Sequence, residues 1–392
     1  MFQQRRRFCL ALAGAVLVLV GTVAPAGAQR IKVGDELPYA ASTPGVYPTG
    51  APHRPVVWSE TIISSGAEFL RIHFSRFNLP DGDYLTISSP DGADFWTYTG
   101  KGPRGTGELW SFSVDGDMAV LELHSGNRIE KGRARQYGLT VDRIAHGTVP
   151  LNGEGPIAKV ICGTDGKENA VCYSGTINTR PVARLSFQSG GSSFVCTGWL
   201  VAGASNSTMF TNNHCVATQT EVSTVQARFN YQTTTCGGTT IASFTTYAGG
   251  TFLKTSSSLD YTLFTLQGNP EATWGEYTAT SKTPIAGMSI NFPQHPGGGV
   301  KKISFWKDSA HTLRCNVNAV GGSYGYATGS QVDYSCDSEG GSSGSPIMDA
   351  GTGRILAIHH LGGVSSSPCL NAATMMKNIC PNAGSLLSCA TN

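Results

Sequence analysis

Charge is scarce in this chain. Of 392 residues, 28 are Lys or Arg and 26 are Asp or Glu, and the formal net charge is +2. That balance points to neither nucleic acid nor an anionic membrane surface as a partner. Cysteine is missing over a long stretch, with none between Cys9 and Cys162. No two cysteines form a tight Cys-x-x-Cys pair, which argues against a zinc site. Beyond the N-terminal segment nothing is apolar for long enough to span a bilayer. There is also no internal repeat and no long amphipathic helix.

What is present begins with an export signal. Arg5-Arg6-Arg7 form a basic start, residues 8–20 are an apolar run, and Ala26-Gly27-Ala28 is a small-residue cleavage site. Residues 1–28 therefore read as a signal peptide. The run is too short for the rival reading, a membrane anchor, and the paired arginines leave a twin-arginine route open. The expected location is extracellular or periplasmic. Loss of the signal removes Cys9 and leaves ten cysteines: Cys162, Cys172, Cys196, Cys215, Cys236, Cys315, Cys336, Cys369, Cys380 and Cys389. In an oxidising compartment this even number implies up to five disulfides, all in the C-terminal part. Abundant Gly, Ser and Thr suit an all-β protein of short strands and turns. The length allows two domains after the signal.

Residues 29–54 are rich in Pro and Gly without periodicity and read as a loose leader. Within residues 55–145 the pattern alternates from Phe69 on: Leu70, Ile72 and Phe74 share one face, Arg71 and His73 the other. Turns at Pro80-Asp81-Gly82-Asp83 and Pro90-Asp91-Gly92 separate further strand candidates, so a small antiparallel β-sandwich is expected here, as a pro- or accessory domain. Asp81, Asp83, Asp91 and Asp94 raise calcium as an alternative, but Asp-Gly dipeptides more commonly serve turn conformation. Residues 146–156 read as a linker, and residues 157–392 as a disulfide-rich module.

The chemistry concentrates in that module. In Cys336-Asp337-Ser338-Glu339-Gly340-Gly341-Ser342-Ser343-Gly344-Ser345-Pro346, glycines permit a sharp turn and leave backbone amides uncovered. A serine hydroxyl there can attack a carbonyl while the Gly341 and Ser343 amides face the oxyanion. Serine is a poor nucleophile alone and needs a base. Upstream, Met209-Phe210-Thr211-Asn212-Asn213-His214-Cys215 places a histidine at the end of an apolar strand, and Cys215 can be stapled to Cys196. Between them, Asp260 enters the alternating run Tyr261-Thr262-Leu263-Phe264, either as a turn cap or as the carboxylate that orients the imidazole. The order His214, Asp260, Ser343 is that of chymotrypsin-like proteases, not of subtilisins or α/β-hydrolases.

Residues 162–371 resemble the bacterial trypsin-like serine peptidases, nearest the lysyl endopeptidase branch. The resemblance rests on an ordered set: Cys196-Thr197-Gly198 with Leu200-Val201, Asn213-His214-Cys215, Phe229-Asn230-Tyr231-Gln232 with Cys236, and Asp260-Tyr261-Thr262-Leu263. Phe292-Pro293-Gln294-His295-Pro296 with Lys302-Ile303-Ser304, and Gly341 to Pro346, complete it. It implies an all-β fold, a chymotrypsin-like double antiparallel β-barrel with the triad in the cleft, preceded by the β-sandwich-like domain. It also implies disulfides Cys162–Cys369, Cys172–Cys236 and Cys196–Cys215; Cys315–Cys336 and Cys380–Cys389 are expected for the rest. Ser342 stands where animal trypsins carry an aspartate that pairs with a newly released N-terminus, so activation by that ion pair is not expected.

The sequence thus predicts a secreted serine endopeptidase acting on protein or peptide substrates, monomeric, needing no metal or organic cofactor. Asp337, six residues before Ser343, stands where trypsin-like enzymes place a carboxylate at the base of the primary pocket, which favours cleavage after Lys or Arg. Residues 370–377 contain no acid, so the strict lysine reading of the lysyl branch does not carry over. The alternative is glutamyl specificity read by His359 or His360 on the pocket strand. A catalytically inactive binding protein on the same scaffold is the rival from another class.

Overall fold

The computed structural model describes residues 30–126, 129, 132–150, 159–161, 163–364 and 367–391. The signal segment, most of the linker and Cys162 lie outside the described residues.

Two closed barrels form the C-terminal module. In the first, the strands Val182–Ser189, Gln226–Phe229, Thr245–Ser256, Tyr261–Leu266, Thr208–Thr211 and Ser192–Leu200 pair in that order, and the last returns to pair with the first. Its interior is filled by Leu185, Phe187, Leu200, Met209, Phe229 and Phe264. In the second, Ile290–Gln294, Pro346–Asp349, Ile355–Val364, Ser367–Met375, Gln331–Ser335 and Asn316–Gly322 follow one another. A bridge between Ser289 and Asn316 closes that ring. Phe292, Val317, Tyr334, Ile347 and Leu356 fill it. A third cluster, including Trp199, Phe210, Tyr261, Met348, Ile355 and Ile358, joins the barrels. Both barrels alternate inward apolar residues, as closure of a twisted sheet requires. This is the chymotrypsin-like double barrel expected from the sequence.

The N-terminal region is a two-sheet sandwich. One sheet orders Val56–Ile63, Met118–His124, Tyr84–Ser88 and Phe95–Thr99. Met118–His124 alternates strictly, with Ala119, Leu121 and Leu123 buried against Ile72, Phe74, Leu85 and Ile87. The facing sheet contains Ile31–Ser42, Gly138–Gly147 and Phe69–Asn78.

Here the structure differs from the expected leader. Residues 31–42 form a strand whose central part pairs with Gly138–Gly147 and whose start pairs with Ser192–Val195 of the first barrel. Sandwich and barrel therefore share one continuous sheet. The strand was not visible as a period because Pro38 and register shifts interrupt its alternation. A Cβ at Gly34 would lie 2.5 Å from the His146 carbonyl oxygen, so the crossing needs glycine.

Phe69–Asn78 also has a second buried face. Arg71 and His73 are nearly inaccessible because that face lies against the protease module. Arg71 donates from Nε to Ser111 O and from Nη2 to Thr224 O, both at 2.8 Å. Three of the four acids considered for calcium accept from protein donors. Asp83 accepts from Tyr47 Oη and the Gly126 amide, Asp91 from Ser89 Oγ and the Ala93 amide, and Asp94 from the Asp115 amide.

Candidate active site

His214 and Asp260 meet at the barrel junction. His214 Nδ1 lies 2.7 Å from Asp260 Oδ2, and the His214 amide donates to Oδ1 at 2.9 Å. The carboxylate is buried, whereas 16% of the imidazole side chain is exposed, so one ring edge stays open to a ligand. Burial pushes the Asp260 carboxyl up, but the charge and hydrogen bonds of His214 outweigh it and hold it below its ordinary range. Asp260 has φ 46°, a left-handed conformation that Asp tolerates better than most residues. Asn212 Nδ2 donates to the Asp260 carbonyl at 2.7 Å, and Asn213 Nδ2 reaches Thr255 Oγ1 at 2.7 Å. The two asparagines preceding the histidine thus tie its loop to the aspartate and to the neighbouring strand.

Thr197 carries the Ser343 turn. Its amide donates to the Ser343 carbonyl at 2.8 Å, and its hydroxyl donates to the Gly341 carbonyl at 2.9 Å. A Cβ at Gly344 would fall 2.0 Å from the Thr197 carbonyl oxygen, so only glycine fits after the serine. Gly341 has φ 88°, and a Cβ there would meet the Gly298 amide at 2.6 Å. Among the described residues, the Gly341 and Ser343 amides have no protein acceptor. Two free amides flanking Ser342 are suited to bind an oxyanion. Cys215 Sγ lies 3.7 Å from His214 Nε2 and 4.0 Å from the Ser343 carbonyl, which places both residues against one sulfur. Among the described residues Ser343 Oγ makes no hydrogen bond to His214.

The turn is held from within. Ser342 Oγ donates to Gln294 Oε1, and Gln294 Nε2 donates in turn to Ser304 Oγ and the Asp337 carbonyl. Lys167 Nζ lies 3.0 Å from Glu339 Oε1, with both side chains buried. Ser342 therefore has its hydrogen-bond partner within the protease module.

The three residues expected to read the substrate have other partners. Asp337 is buried, and its Oδ2 accepts the Gly166 amide at 2.7 Å. His359 is enclosed, with Nδ1 2.6 Å from Tyr334 Oη and its ring against Phe292. His360 is enclosed as well: Nε2 lies 2.5 Å from Gln331 Oε1, and Nδ1 lies 3.9 Å from Asp260 Oδ2. Burial lowers its pKa to about 4. Tyr326 packs on the His360 ring and reaches Asp260 Oδ2 at 3.4 Å. The strand Ile355–Val364 thus presents His359 to Tyr334 and Phe292, and His360 to Gln331 and Asp260.

Four sulfur pairs stand at bonding distance: Cys172–Cys236, Cys196–Cys215, Cys315–Cys336 and Cys380–Cys389. Cys369 is also disulfide-bonded, and its expected partner Cys162 lies outside the described residues. The side chains of Cys196, His214 and Cys215 cluster within 4.8 Å, but the disulfide leaves no thiolate there to hold a metal.

The family model of the lysyl endopeptidase C-terminal domain matches residues 163–377, more than half of the chain. This chain belongs to that family. It is a serine endopeptidase of the trypsin-like kind. It is 30% identical over 297 residues to a lysyl endopeptidase of Pseudomonas aeruginosa, a match covering 71% of this chain and 61% of that protein. It is 29% identical over 324 residues to secreted RxLR effector protein 73 of Plasmopara viticola, covering 77% of each. Similar solved structures include a Glu endopeptidase, at 20% identity and TM-score 0.39, covering 55% of this chain and 93% of that one. Another is the Rv3671c protease of M. tuberculosis in its active form, at 14% identity and TM-score 0.40, covering 59% and 93%.

Proposed function

We propose that this lysyl endopeptidase family member is secreted and hydrolyses protein substrates through Ser343, His214 and Asp260. The observation that carries the reading is the 2.7 Å contact between His214 Nδ1 and Asp260 Oδ2, beside a serine turn with two unused amides. Asp260 holds the tautomer in which Nε2 is free to accept a proton. Ser343 Oγ attacks the peptide carbonyl as its proton passes to Nε2. The tetrahedral oxyanion is met by the Gly341 and Ser343 amides. Nε2 then protonates the leaving amine, and water releases the acyl-enzyme by the reverse steps. A serine–histidine hydrogen bond is commonly long in an unliganded enzyme and tightens around substrate. Export is supported by the basic, apolar and small-residue order of residues 1–28, and among the described residues no helix is long and apolar enough to cross a membrane.

The lysine in the family's name and the place of Asp337 in the sequence favour a basic preference. The partners of Asp337, His359 and His360 count against both the basic and the glutamyl versions. The test of the mechanism is turnover of casein by folded variants. Ser343→Ala and His214→Ala should each lose roughly 10⁴-fold or more in activity. A folded Ser343→Ala protein that keeps most of its activity refutes the assignment.

A further inference from the structure

We propose that the primary pocket is uncharged, is lined by Ser338, Gly362 and Asn371, and takes a small aliphatic side chain, with Val160 as its occupant in the uncut chain. This rests on the serine peptidase reading above and names the substrate class of that same site.

The strand Ser338–Glu339 leads into the nucleophile turn and forms one wall. Gly362 and Asn371, paired across the strands Ile355–Val364 and Ser367–Met375, form the other. Ser338 Oγ donates to Asn371 Oδ1 at 2.8 Å, bridging the walls. Gly362 faces the same point. A Cβ built on it would lie 3.5 Å from Ser338 Oγ, 3.5 Å from Asn371 Oδ1 and 2.8 Å from Val160 Cγ2. Val160 reaches this place because Lys159–Val160 pairs antiparallel with Ser338–Glu339, with Val160 opposite Ser338. Four residues thus converge just upstream of Ser343, in the space between the pocket walls.

The polar side chains around Gly362, those of Ser338 and Asn371, are neutral and already paired, while Glu339, next along the strand, is engaged by Lys167. The Ser338 hydroxyl is used on Asn371, and Asn371 Nδ2 donates to the Cys336 carbonyl at 2.5 Å. A Lys, Arg or Glu side chain entering this space would lose its water and find no opposite charge among these groups, a costly outcome for a buried ion. The neighbouring Asp337 carboxylate is directed to the Gly166 amide. A branched aliphatic side chain leaves the Ser338–Asn371 bond intact and gains apolar burial. The absence of a side chain at Gly362 keeps the space open. Val160 and an incoming substrate side chain compete for this one place.

The experiment uses full-length wild type, Val160→Gly and Gly362→Val with peptide anilides differing only in the residue before the scissile bond: Val, Ala, Lys, Arg or Glu. Val160→Gly should cleave the Val substrate about 10-fold or more faster than wild type in kcat/KM. It should also prefer Val over Lys, Arg and Glu by about 10-fold or more. Gly362→Val should shift preference from Val toward Ala by about 10-fold. A preference of Val160→Gly for Lys, Arg or Glu, or rates unchanged from wild type across the panel, overturns the proposal. A fluorophosphonate, which needs no primary side chain, reports on Ser343 separately. Labelling with the wrong substrate order overturns the pocket alone, whereas no labelling in any form overturns the peptidase reading and the pocket with it.

Discussion

Lys167 Nζ lies 3.0 Å from Glu339 Oε1, and both side chains are withdrawn from solvent. Glu339 opens the turn that ends in Ser343, so this ion pair ties the start of the protease module to the nucleophile loop. Its second carboxylate contact, Asp165, is far more exposed. Removing the lysine takes the cation away from a buried carboxylate, so Lys167→Met should destabilise by about 3–5 kcal/mol and reduce kcat, whereas Glu339→Gln leaves Lys167 paired with Asp165 and should cost less. The double variant Lys167→Met/Glu339→Leu should recover most of the stability. Urea unfolding combined with kcat measurement checks both. A Lys167→Met variant as stable as wild type would contradict the pairing.

Asp260→Asn preserves shape but reverses the hydrogen bonding to His214 Nδ1. A loss of about 10⁴-fold in kcat is expected. The folded state should persist, because the backbone tie from Asn212 to the Asp260 carbonyl remains. Near-wild-type turnover at neutral pH would remove Asp260 from the mechanism.

Much of this was legible in the sequence, and the division has physical reasons. The strand Met118–His124 could be read because it buries one face, and its period of two survives in the residue pattern, whereas the two barrels, buried at nearly every strand position, were implied by the family resemblance. His214, Asp260 and Ser343 were singled out from local motifs. Thr197 and Asn212 were visible only as motif letters, since their roles are hydrogen bonds to distant backbone atoms. The strand Ile31–Ser42 was missed because its partners lie about 100 residues or more away in sequence and its register shifts break the alternation. The partners of His359 and His360 could not be read from the sequence, because a sequence does not say which way a bulged strand turns its side chains. The register shift between His359 and Leu361 sends these two neighbours to separate buried partners.

The buried histidines set a pH dependence. Burial depresses the His360 pKa to about 4, and it lowers those of His359 and His295 well below the ordinary value of 6.5. Below about pH 6.5 the unfolded chain takes protons that the folded chain refuses. Stability should therefore fall as pH drops from about 6.5 toward 4. Asp260 adds to the loss at more acid pH, since its folded pKa lies below the unfolded one. Denaturant midpoints across pH 4–8 measure this, and His360→Asn should flatten the profile. A midpoint independent of pH over that window would contradict it.

The shared sheet makes a prediction about maturation. A cut within residues 150–158 leaves Ile31–Ser42 paired to Ser192–Val195, and leaves Arg71 bonded to Thr224. Arg30 also stays bound, donating to the Cys215 carbonyl at 3.2 Å and pairing with Glu221 at 2.9 Å. The N-terminal piece should co-elute with the protease module after such a cut. Two separate peaks on size exclusion without denaturant would show that the sheet does not hold them.

The most direct measurement of the central claim is mass spectrometry of the secreted protein after reaction with a fluorophosphonate. The account predicts a single adduct on Ser343, formed in wild type, absent in Ser343→Ala and strongly slowed in His214→Ala. An adduct on another serine, or equal labelling of wild type and His214→Ala, would contradict it.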